Sequence, residues 1–381
     1  MKLILILLLS VFQLQAQIVT IPDVNFKNKL LNHNPVIDTN SNGEIEVAEA
    51  EAVGFPLNVS GAIPPIVDLT GIEAFTHLEQ LNCAGNQIET LDLSSNTLLW
   101  NLDCGYNAIN DINLSQNVFL KNYSGSGNPY TSLDVSANYD LEFLQSNFGN
   151  LTAIDVSKNI NLKYLYLQGN FLTTLDITQN PNLEGVILDD NNLTSLDFSQ
   201  NPGIYRIYAR NNLFETLDVS NNPLLATLDL KWNDELTYLN LKSGNNTNLN
   251  ISGVGQTCNF EELPILETVC LDDVNSPLAS FIEAQAGHPI TFTENCPLSI
   301  EDITKNQVVF YPNPVKKFLS IQSQNPISEI EIHTISRKKV LYLKESNLTF
   351  QVDMSKFSTG LYLVTTKTTT GISQTYKILK L

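Results

Sequence analysis

Apolar residues recur along residues 78–241 with a period of 21 positions. Counted from position 0 of each unit, positions 0, 3, 10, 13 and 15 are apolar in nearly every copy. Position 5 is aliphatic or small, and positions 8 and 18 are mostly asparagine. The eight units begin at Leu78, Leu99, Leu120, Leu141, Leu162, Leu183, Ile204 and Leu225. One unit cannot bury its own apolar side chains, so the units must stack into a solenoid with one continuous core.

The spacing within a unit predicts two short strands. Positions 3 and 5 point the same way from a strand and face inward, while positions 2, 4 and 6 face solvent. Positions 13 and 15 predict a second strand. The asparagine at position 8 is expected to bond the backbone of its turn. The fourth unit has Gly149 there, which predicts a local irregularity, and an extra residue in the eighth unit moves its second strand to Leu239 and Leu241.

The unit has the form L-x-x-L-x-L/C-x-x-N-x-L-x-x-L-D-L/V-S-x-N and resembles the leucine-rich repeat family. The resemblance covers nearly half the chain and implies a concave sheet that presents solvent-facing side chains to a ligand. In the later units these side chains are aromatic or basic, as binding hot spots often are. Alternatively, the aromatic residues are there only because they form strands well. The candidate ligand-binding residues are Phe143, Tyr164, Tyr166, Arg206, Tyr208, Arg210, Lys231 and Trp232.

Position 14 forms a column of acids: Asp92, Asp134, Asp155, Asp176, Asp197 and Asp218. Adjacent strands are about 4.8 Å apart, so five successive carboxylates would repel each other unless they were bonded or bridged. They could bind cations. The favoured interpretation is that each accepts hydrogen bonds from nearby backbone or from the Ser or Thr two residues later.

Residues 38–49 read DTNSNGEIEVAE, the spacing of an EF-hand calcium loop. The ligand positions are Asp38, Asn40, Asn42, Glu44 (through its carbonyl), Glu46 and Glu49. Helices are predicted on both sides, over 23–31 and 47–53. Calcium is therefore the expected cofactor, with modest affinity because two ligand positions are uncharged asparagines. The alternative is an Asx-rich turn that only caps the solenoid.

Charge is distributed unevenly along the chain. Residues 301–381 hold 11 Lys and Arg against 6 Asp and Glu, whereas residues 1–300 hold 10 against 34. Such an acidic body would repel nucleic acid. Residues 1–16 have Lys2 followed by a short apolar run, which predicts a secretory signal peptide, and no later stretch predicts a transmembrane helix.

Three of the five cysteines, Cys258, Cys270 and Cys296, follow the repeats. In an exported protein one pair is expected to be bridged, and we favour Cys270–Cys296, although the sequence leaves the connectivity open. Cys83 and Cys104 occupy the same inward position of adjacent units and are expected to be buried thiols.

Residues 301–381 contain short strands that suggest a small β-sandwich. Pro-Asn-Pro at 312–314, Thr-Gly-Leu-Tyr at 359–362 and the basic end at Lys377 and Lys380 resemble the type A C-terminal sorting domain of the type IX secretion system. The resemblance implies export by that machinery and a mature protein that is secreted or attached to the outer surface of a Gram-negative bacterium. A generic immunoglobulin-like module is the alternative.

The predicted fold is mainly β. A signal peptide (1–16) precedes an EF-hand-like helical cap (17–76), leucine-rich repeats (77–254), a C-terminal cap (255–300) and an immunoglobulin-like sorting domain (301–381). No nucleophile and base occur at a recognisable catalytic spacing, so a non-enzyme is expected. The leading hypothesis is a surface protein that binds a protein or glycan ligand. The alternatives are a structural coat or spacer protein, and an enzyme with dispersed residues.

Overall fold

The computed structural model describes residues 17–252, 257–296, 308–311, 314–334, 338–344, 346–369 and 373–381. The predicted signal peptide, Pro312 and Asn313 lie outside these residues. The chain divides after Cys296 into two compact units, four residues before the predicted boundary of the sorting domain. Within the described ranges, no helix is long and apolar enough to span a membrane.

The amino-terminal cap contains helices α1 (Val24–Leu31) and α2 (Val47–Glu51), close to the predicted spans. Asp23 caps α1, because its carboxylate accepts the backbone N–H groups of Asn25 and Phe26 at 2.8 and 3.0 Å. Phe26 and Leu30 then lie one turn apart and are fully buried. This buried face joins the cap to the solenoid core.

Nine parallel strands, one from each successive coil, form the long sheet of the first unit. The middle residue of each repeat strand is buried and the outer two are mostly half-exposed, as positions 2, 3 and 4 predict. Neighbouring strands pair with a shift of 21 residues, for example Leu81 with Leu102, and so equivalent positions stack in columns. The strands are β1 (Leu57–Asn58), β2 (Gln80–Asn82), β3 (Asn101–Asp103), β4 (Asn122–Ser124), β5 (Phe143–Gln145), β6 (Tyr164–Tyr166), β7 (Gly185–Ile187), β8 (Arg206–Tyr208) and β10 (Thr227–Asp229).

The second strand predicted in every unit occurs only at the end of the solenoid. There β9 (Thr216–Asp218), β11 (Tyr238–Asn240), β12 (Thr268–Cys270) and β13 (Thr291–Thr293) form a four-stranded parallel sheet, with α3 (Pro277–Ala286) between the last two strands. In units one to six the prediction is wrong, since these coils have no strand at this place. The asparagines at position 18 are fully buried and donate from Nδ2 to two carbonyls of preceding coils: Asn96, Asn117, Asn138, Asn159, Asn180, Asn201 and Asn222.

This asparagine column ends at Asn222, and the backbone ladder of the second sheet begins where it stops. The next coil has Ser243 at position 18. In the seventh coil Val219 donates its N–H to the carbonyl of Asn240 at 2.9 Å, and β9 pairs with β11.

The position-8 asparagines bond the turns as predicted. Asn128, for example, donates to the carbonyls of Cys104 and Gly125, and its Oδ1 accepts the N–H of Ile109. At Gly149, where the sequence predicts a local irregularity, the preceding strand β5 still pairs in register with β6. In the preceding coil, the buried Tyr130 hydroxyl donates to the Gly125 carbonyl at 2.6 Å.

The second unit is an antiparallel β structure joined through one long strand. It contains β14 (Val309–Tyr311), β15 (Phe318–Thr334), β16 (Lys339–Leu343), β17 (Asn347–Asp353), β18 (Gly360–Thr368) and β19 (Ser373–Lys380). The first part of β15 pairs with β14 and β17, and its later part pairs with β16 and β18. The sequence predicts short strands in this region, whereas β15 is continuous over 17 residues. Its register shifts between Gln322 and Glu329, on both sides of Pro326. A proline has no N–H to give to a ladder, so the pairing changes there while the chain stays extended.

Candidate functional site

The candidate ligand-binding residues lie on the solvent side of strands β5, β6 and β8 and just beyond the ends of β8 and β10, at positions 2, 4, 6 and 7 of the repeat. Phe143 pairs with Tyr164 across β5 and β6. Strand β7 then places Gly185 between Tyr164 and Arg206, and Ile187 between Tyr166 and Tyr208. The aromatic–basic strip comprises Phe143, Tyr164, Tyr166, Arg206, Tyr208, Arg210, Lys231 and Trp232, and β7 divides it into two parts.

The aromatic rings of the first part hold one another in place. The rings of Phe143 and Tyr166 meet edge to face with centroids 5.3 Å apart, and those of Tyr164 and Tyr166 lie 6.2 Å apart. The Tyr164 hydroxyl donates to Glu184 Oε2 at 2.7 Å, and this hydrogen bond raises the pKa of Tyr164. These contacts leave the three rings half-buried rather than fully exposed. Glu184 was not among the sequence candidates, because it precedes the strand at position 1.

Two of the three basic residues are already paired with carboxylates. Arg210 Nη2 lies 2.5 Å from Oδ2 of the buried Asp229, and Lys231 Nζ lies 2.5 Å from Glu261 Oε2. Within the described part of the chain, Arg206 has no carboxylate at ion-pair distance. Its guanidinium carbon lies 5.3 Å from the centre of the Tyr205 ring. The strip therefore offers one cation whose charge is not neutralised.

Asp189 is buried beside this cluster, with 8% of its surface exposed. Burial raises the pKa of Asp189 to about 6, although the N–H of Arg210 bonds its Oδ1 at 2.8 Å and the Arg210 charge acts in the opposite direction. The sequence places Asp189 at position 6, which is expected to face solvent. Two features of the sequence could have indicated the burial of Asp189: its place at the end of a strand, and the long Arg210 side chain at the same position of the next coil.

The acidic column is bonded as the favoured interpretation predicts. Each aspartate at position 14 accepts, through Oδ1, the N–H of the Ser or Thr two residues later at 2.8–2.9 Å. At Asp134 and Asp176 the hydroxyl and the N–H of that residue lower the carboxyl pKa, and the neighbouring Asp155 opposes them. Each carboxylate is thus stabilised within its own turn.

The loop at 38–49 is held mainly by its own side chains. The buried Asp38 carboxylate accepts the N–H groups of Asn42 and Gly43 at 3.2 and 3.0 Å. The Nδ2 groups of Asn40 and Asn42 both donate to Glu46 Oε1, at 3.1 and 2.6 Å. The Glu44 side chain turns away and pairs with Lys27 at 2.6 Å.

Glu49 closes this loop by binding backbone. It accepts the N–H groups of Thr39 and Glu46. Against the effect of burial, hydrogen bonds from Glu46 and Thr39 lower the Glu49 pKa to about 2. Among the described residues, no three His, Cys, Asp or Glu side chains converge as a metal site. Yet Glu46 is 95% buried, and no donor in the described part of the chain reaches its Oε2.

Cys270 and Cys296 form a disulfide with a Cα–Cα distance of 5.6 Å, the pairing that the sequence favours. It joins β12 of the solenoid to the residue where the first unit ends. Cys83, Cys104 and Cys258 are buried free thiols, and burial raises the pKa of each of them.

Residues 309–380 match the family model of the secretion system C-terminal sorting domain. The chain carries a sorting domain. This domain implies export by the type IX secretion system, to a surface or secreted destination. No curated protein sequence matches the chain significantly.

Solved structures share the repeat fold. An internalin of Listeria monocytogenes is 20% identical, with 76% of this chain and 96% of that chain covered and a TM-score of 0.51. A leucine-rich repeat protein of Leptospira interrogans is 24% identical, with a TM-score of 0.41. It aligns with 42% of this chain, and the match spans less than half, 45%, of the Leptospira chain. Together with the coil geometry, the internalin comparison shows a leucine-rich repeat solenoid.

Proposed function

We propose that the mature protein is a surface or secreted binding protein whose aromatic–basic strip takes a protein ligand. The observation that carries this proposal is Arg206, an unneutralised cation in register with Tyr164 on one side and next to Tyr208. Arginine and tyrosine are enriched at the centres of protein interfaces because they combine large apolar area with directional donors. The function is one of binding rather than catalysis, since the neighbouring Arg210, Lys231 and Tyr164 are each occupied by a carboxylate.

The geometry favours a ligand that brings an acidic group next to an apolar one. A carboxylate could approach the Arg206 guanidinium in a fork-to-fork arrangement. Gly185 and Ile187 lie between the two parts of the strip, and the half-exposed Ile187 would offer an apolar contact to a side chain of the ligand. The rings are held by contacts with each other and with Glu184, so binding would lose little side-chain entropy.

We further propose that the loop at 38–49 binds calcium. Its candidate donors are all oxygens, which calcium prefers. Among the described residues no donor reaches Glu46 Oε2, a buried carboxylate oxygen, and a buried charge is costly unless it is paired. Asp38, Asn40, Asn42, Glu46 and Glu49 would supply side-chain oxygens, and Glu44 its carbonyl. When bound, the ion would supply charge neutralisation and stiffen the start of the solenoid.

The location that we propose is the outer surface of a Gram-negative bacterium, with the sorting domain removed after export. The basic tail and the acidic solenoid differ strongly in charge, as expected for parts with separate tasks. The solenoid would then meet extracellular ligands at calcium concentrations that suit a loop of modest affinity.

The strip is tested with the full chain against an array of extracellular proteins and glycans. For any ligand found, Tyr166→Ala with Tyr208→Ala should weaken binding at least about thirtyfold, because hot-spot truncations typically cost about 2 kcal/mol each. Arg206→Gln should weaken an acidic ligand selectively and reduce the salt dependence of its association.

The matched control is Asn82→Ala with Asn101→Ala, on the same face of the polar early coils. If both double variants bind equally well, the ligand site lies elsewhere. A preference for glycans over proteins across the array would overturn the ligand class. An array without any ligand would favour a structural coat.

A further inference from the structure

Each coil turns a corner just before its strand of the long sheet. Position 1 lies at this corner, and the position-1 residues of successive coils form a second surface. Each of these residues donates its backbone N–H to the carbonyl of its counterpart one coil earlier, at 2.8–2.9 Å. The side chains therefore stack in a straight column at about 4.8 Å per coil. Glu79 and Ala226 occupy the two ends of this series, and its six central members form what we call the corner column: Trp100, Lys121, Glu142, Lys163, Glu184 and Tyr205.

The order of these side chains is antisymmetric. Read forward it is aromatic, positive, negative, positive, negative, aromatic, and read backward every charge is reversed. When the column is laid antiparallel on a second copy, Lys121 meets Glu184 and Glu142 meets Lys163. Trp100 then meets Tyr205. We infer that two copies of this chain associate through the corner column, around a two-fold axis that passes between Glu142 and Lys163.

Apolar side chains lie where such an axis would place the centre of the interface. Tyr139 and Ile160 precede the two central coils and are 59% and 55% exposed. The two-fold axis brings four such side chains together, and an apolar centre with a charged border is the usual composition of an interface.

The two ends of the corner complement each other in size. Near the start, a groove of about 560 Å³ is lined by apolar residues, including Trp100 and Phe119, together with Lys121 and flanking acids. Near the other end the equivalent corner residues are small, with Pro202 and Gly203 ahead of Tyr205. The antiparallel arrangement brings the small end of one copy to the groove of the other.

Three of the four charges of the column are available for such contacts, and the fourth, Glu184, also accepts the hydrogen bond of the Tyr164 hydroxyl at 2.7 Å. Lys121 is exposed and has no carboxylate at ion-pair distance among the described residues. Glu142 and Lys163 pair within one chain at 2.7 Å, with side chains about 40% exposed. Across the axis, two such pairs form a square in which the neighbours of each charge have the opposite sign. Association of the two copies therefore does not require either ion pair to break. Alternating charges of this kind fix the register of an interface.

The experiment is sedimentation equilibrium of the full chain over about 1–100 µM. The wild type should reach twice the chain mass. Lys121→Glu places like charges opposite Glu184 twice per dimer, and Glu184→Lys does the same opposite Lys121. Each single variant should raise the dissociation constant at least about a hundredfold.

Two further samples separate this arrangement from any other dimer. An equimolar mixture of the two single variants restores both opposite-charge contacts and should form a heterodimer, and the double variant Lys121→Glu/Glu184→Lys should self-associate again. Circular dichroism checks that every variant is folded. A monomeric wild type, unaffected single variants, or a mixture that stays monomeric would each overturn the inference.

Discussion

Replacing Asp189 by Asn should stabilise the solenoid at neutral pH, although it removes a charge beside Arg210. Asp189 is buried, and its pKa is raised from 3.8 to about 6, chiefly by loss of solvation. Asparagine keeps an oxygen that can accept the Arg210 N–H and resembles the protonated acid in shape. Ionising Asp189 therefore costs more free energy in the folded protein than in the unfolded chain, and asparagine avoids that cost.

The magnitude follows from the pKa difference. A shift of about two units corresponds to roughly 3 kcal/mol, at 1.36 kcal/mol per unit. Because the folded pKa is raised, the folded state binds the proton more tightly than the unfolded chain does. The unfolding free energy of the wild type therefore falls as pH rises from about 4 to 6, and the full cost of ionising Asp189 is present above pH 6. Below about pH 4, both states are protonated and the variant should gain nothing.

The assay is urea unfolding of wild type and Asp189→Asn between pH 4 and 8, followed by the fluorescence of Trp232, one coil beyond Arg210. The difference in unfolding free energy between the two proteins cancels the titration of every other group. It should approach 2–3 kcal/mol at pH 8 and vanish near pH 4. The exposed neighbour Asp190→Asn is the control; because the Asp190 charge contributes to the raised pKa of Asp189, it should show only a small part of this pH profile. A difference for Asp189→Asn that stays constant with pH, or that grows as pH falls, would refute the reasoning.

Three other outcomes are expected. Millimolar calcium should raise the unfolding temperature of the amino-terminal cap, and Asp38→Ala with Glu49→Gln should abolish the rise; an unchanged wild-type temperature would count against calcium binding. Deleting residues 308–381 should leave the protein inside the outer membrane, and surface labelling of the truncated form at full-length levels would contradict that role. Asn159→Ala should cost about 2–4 kcal/mol in unfolding free energy, since two carbonyls of the preceding coil each lose a buried donor, whereas Asn161→Ala, which removes one longer hydrogen bond to the Tyr139 carbonyl at 3.3 Å, should cost less than about 1.

The core of the solenoid was predictable because the period repeats every contact. Once position 3 faces inward in one coil, the same geometry buries it in the next, as Leu81 and Leu102 show. The strand on the other side of the coil could not be predicted in this way. Extended backbone becomes a strand only when its hydrogen bonds go to the neighbouring coil, and the apolar period at positions 13 and 15 does not encode where those bonds go.

The candidate site was predictable as a set of positions but not as a set of contacts. Adding 21 to a residue number shows that Tyr166 and Tyr208 share a column, and the structure bears this out. The ion pair of Arg210 with Asp229 and the burial of Asp189 depend on how side chains of different length lean across coils. Those directions are set by rotamers and packing, which a period does not encode.

The surface chemistry of this protein is arranged in columns of equivalent positions rather than in local motifs. Every inward position must satisfy an identical neighbour, so the core sequence can vary little from coil to coil. A solvent-facing position meets only the equivalent positions of the coils before and after it, and its residue is free to differ. The corner column uses that freedom to alternate charge between Lys121 and Glu184, and the aromatic–basic strip uses it to leave Arg206 unneutralised. A local sequence motif would contain neither pattern, because consecutive members of each column are 21 residues apart.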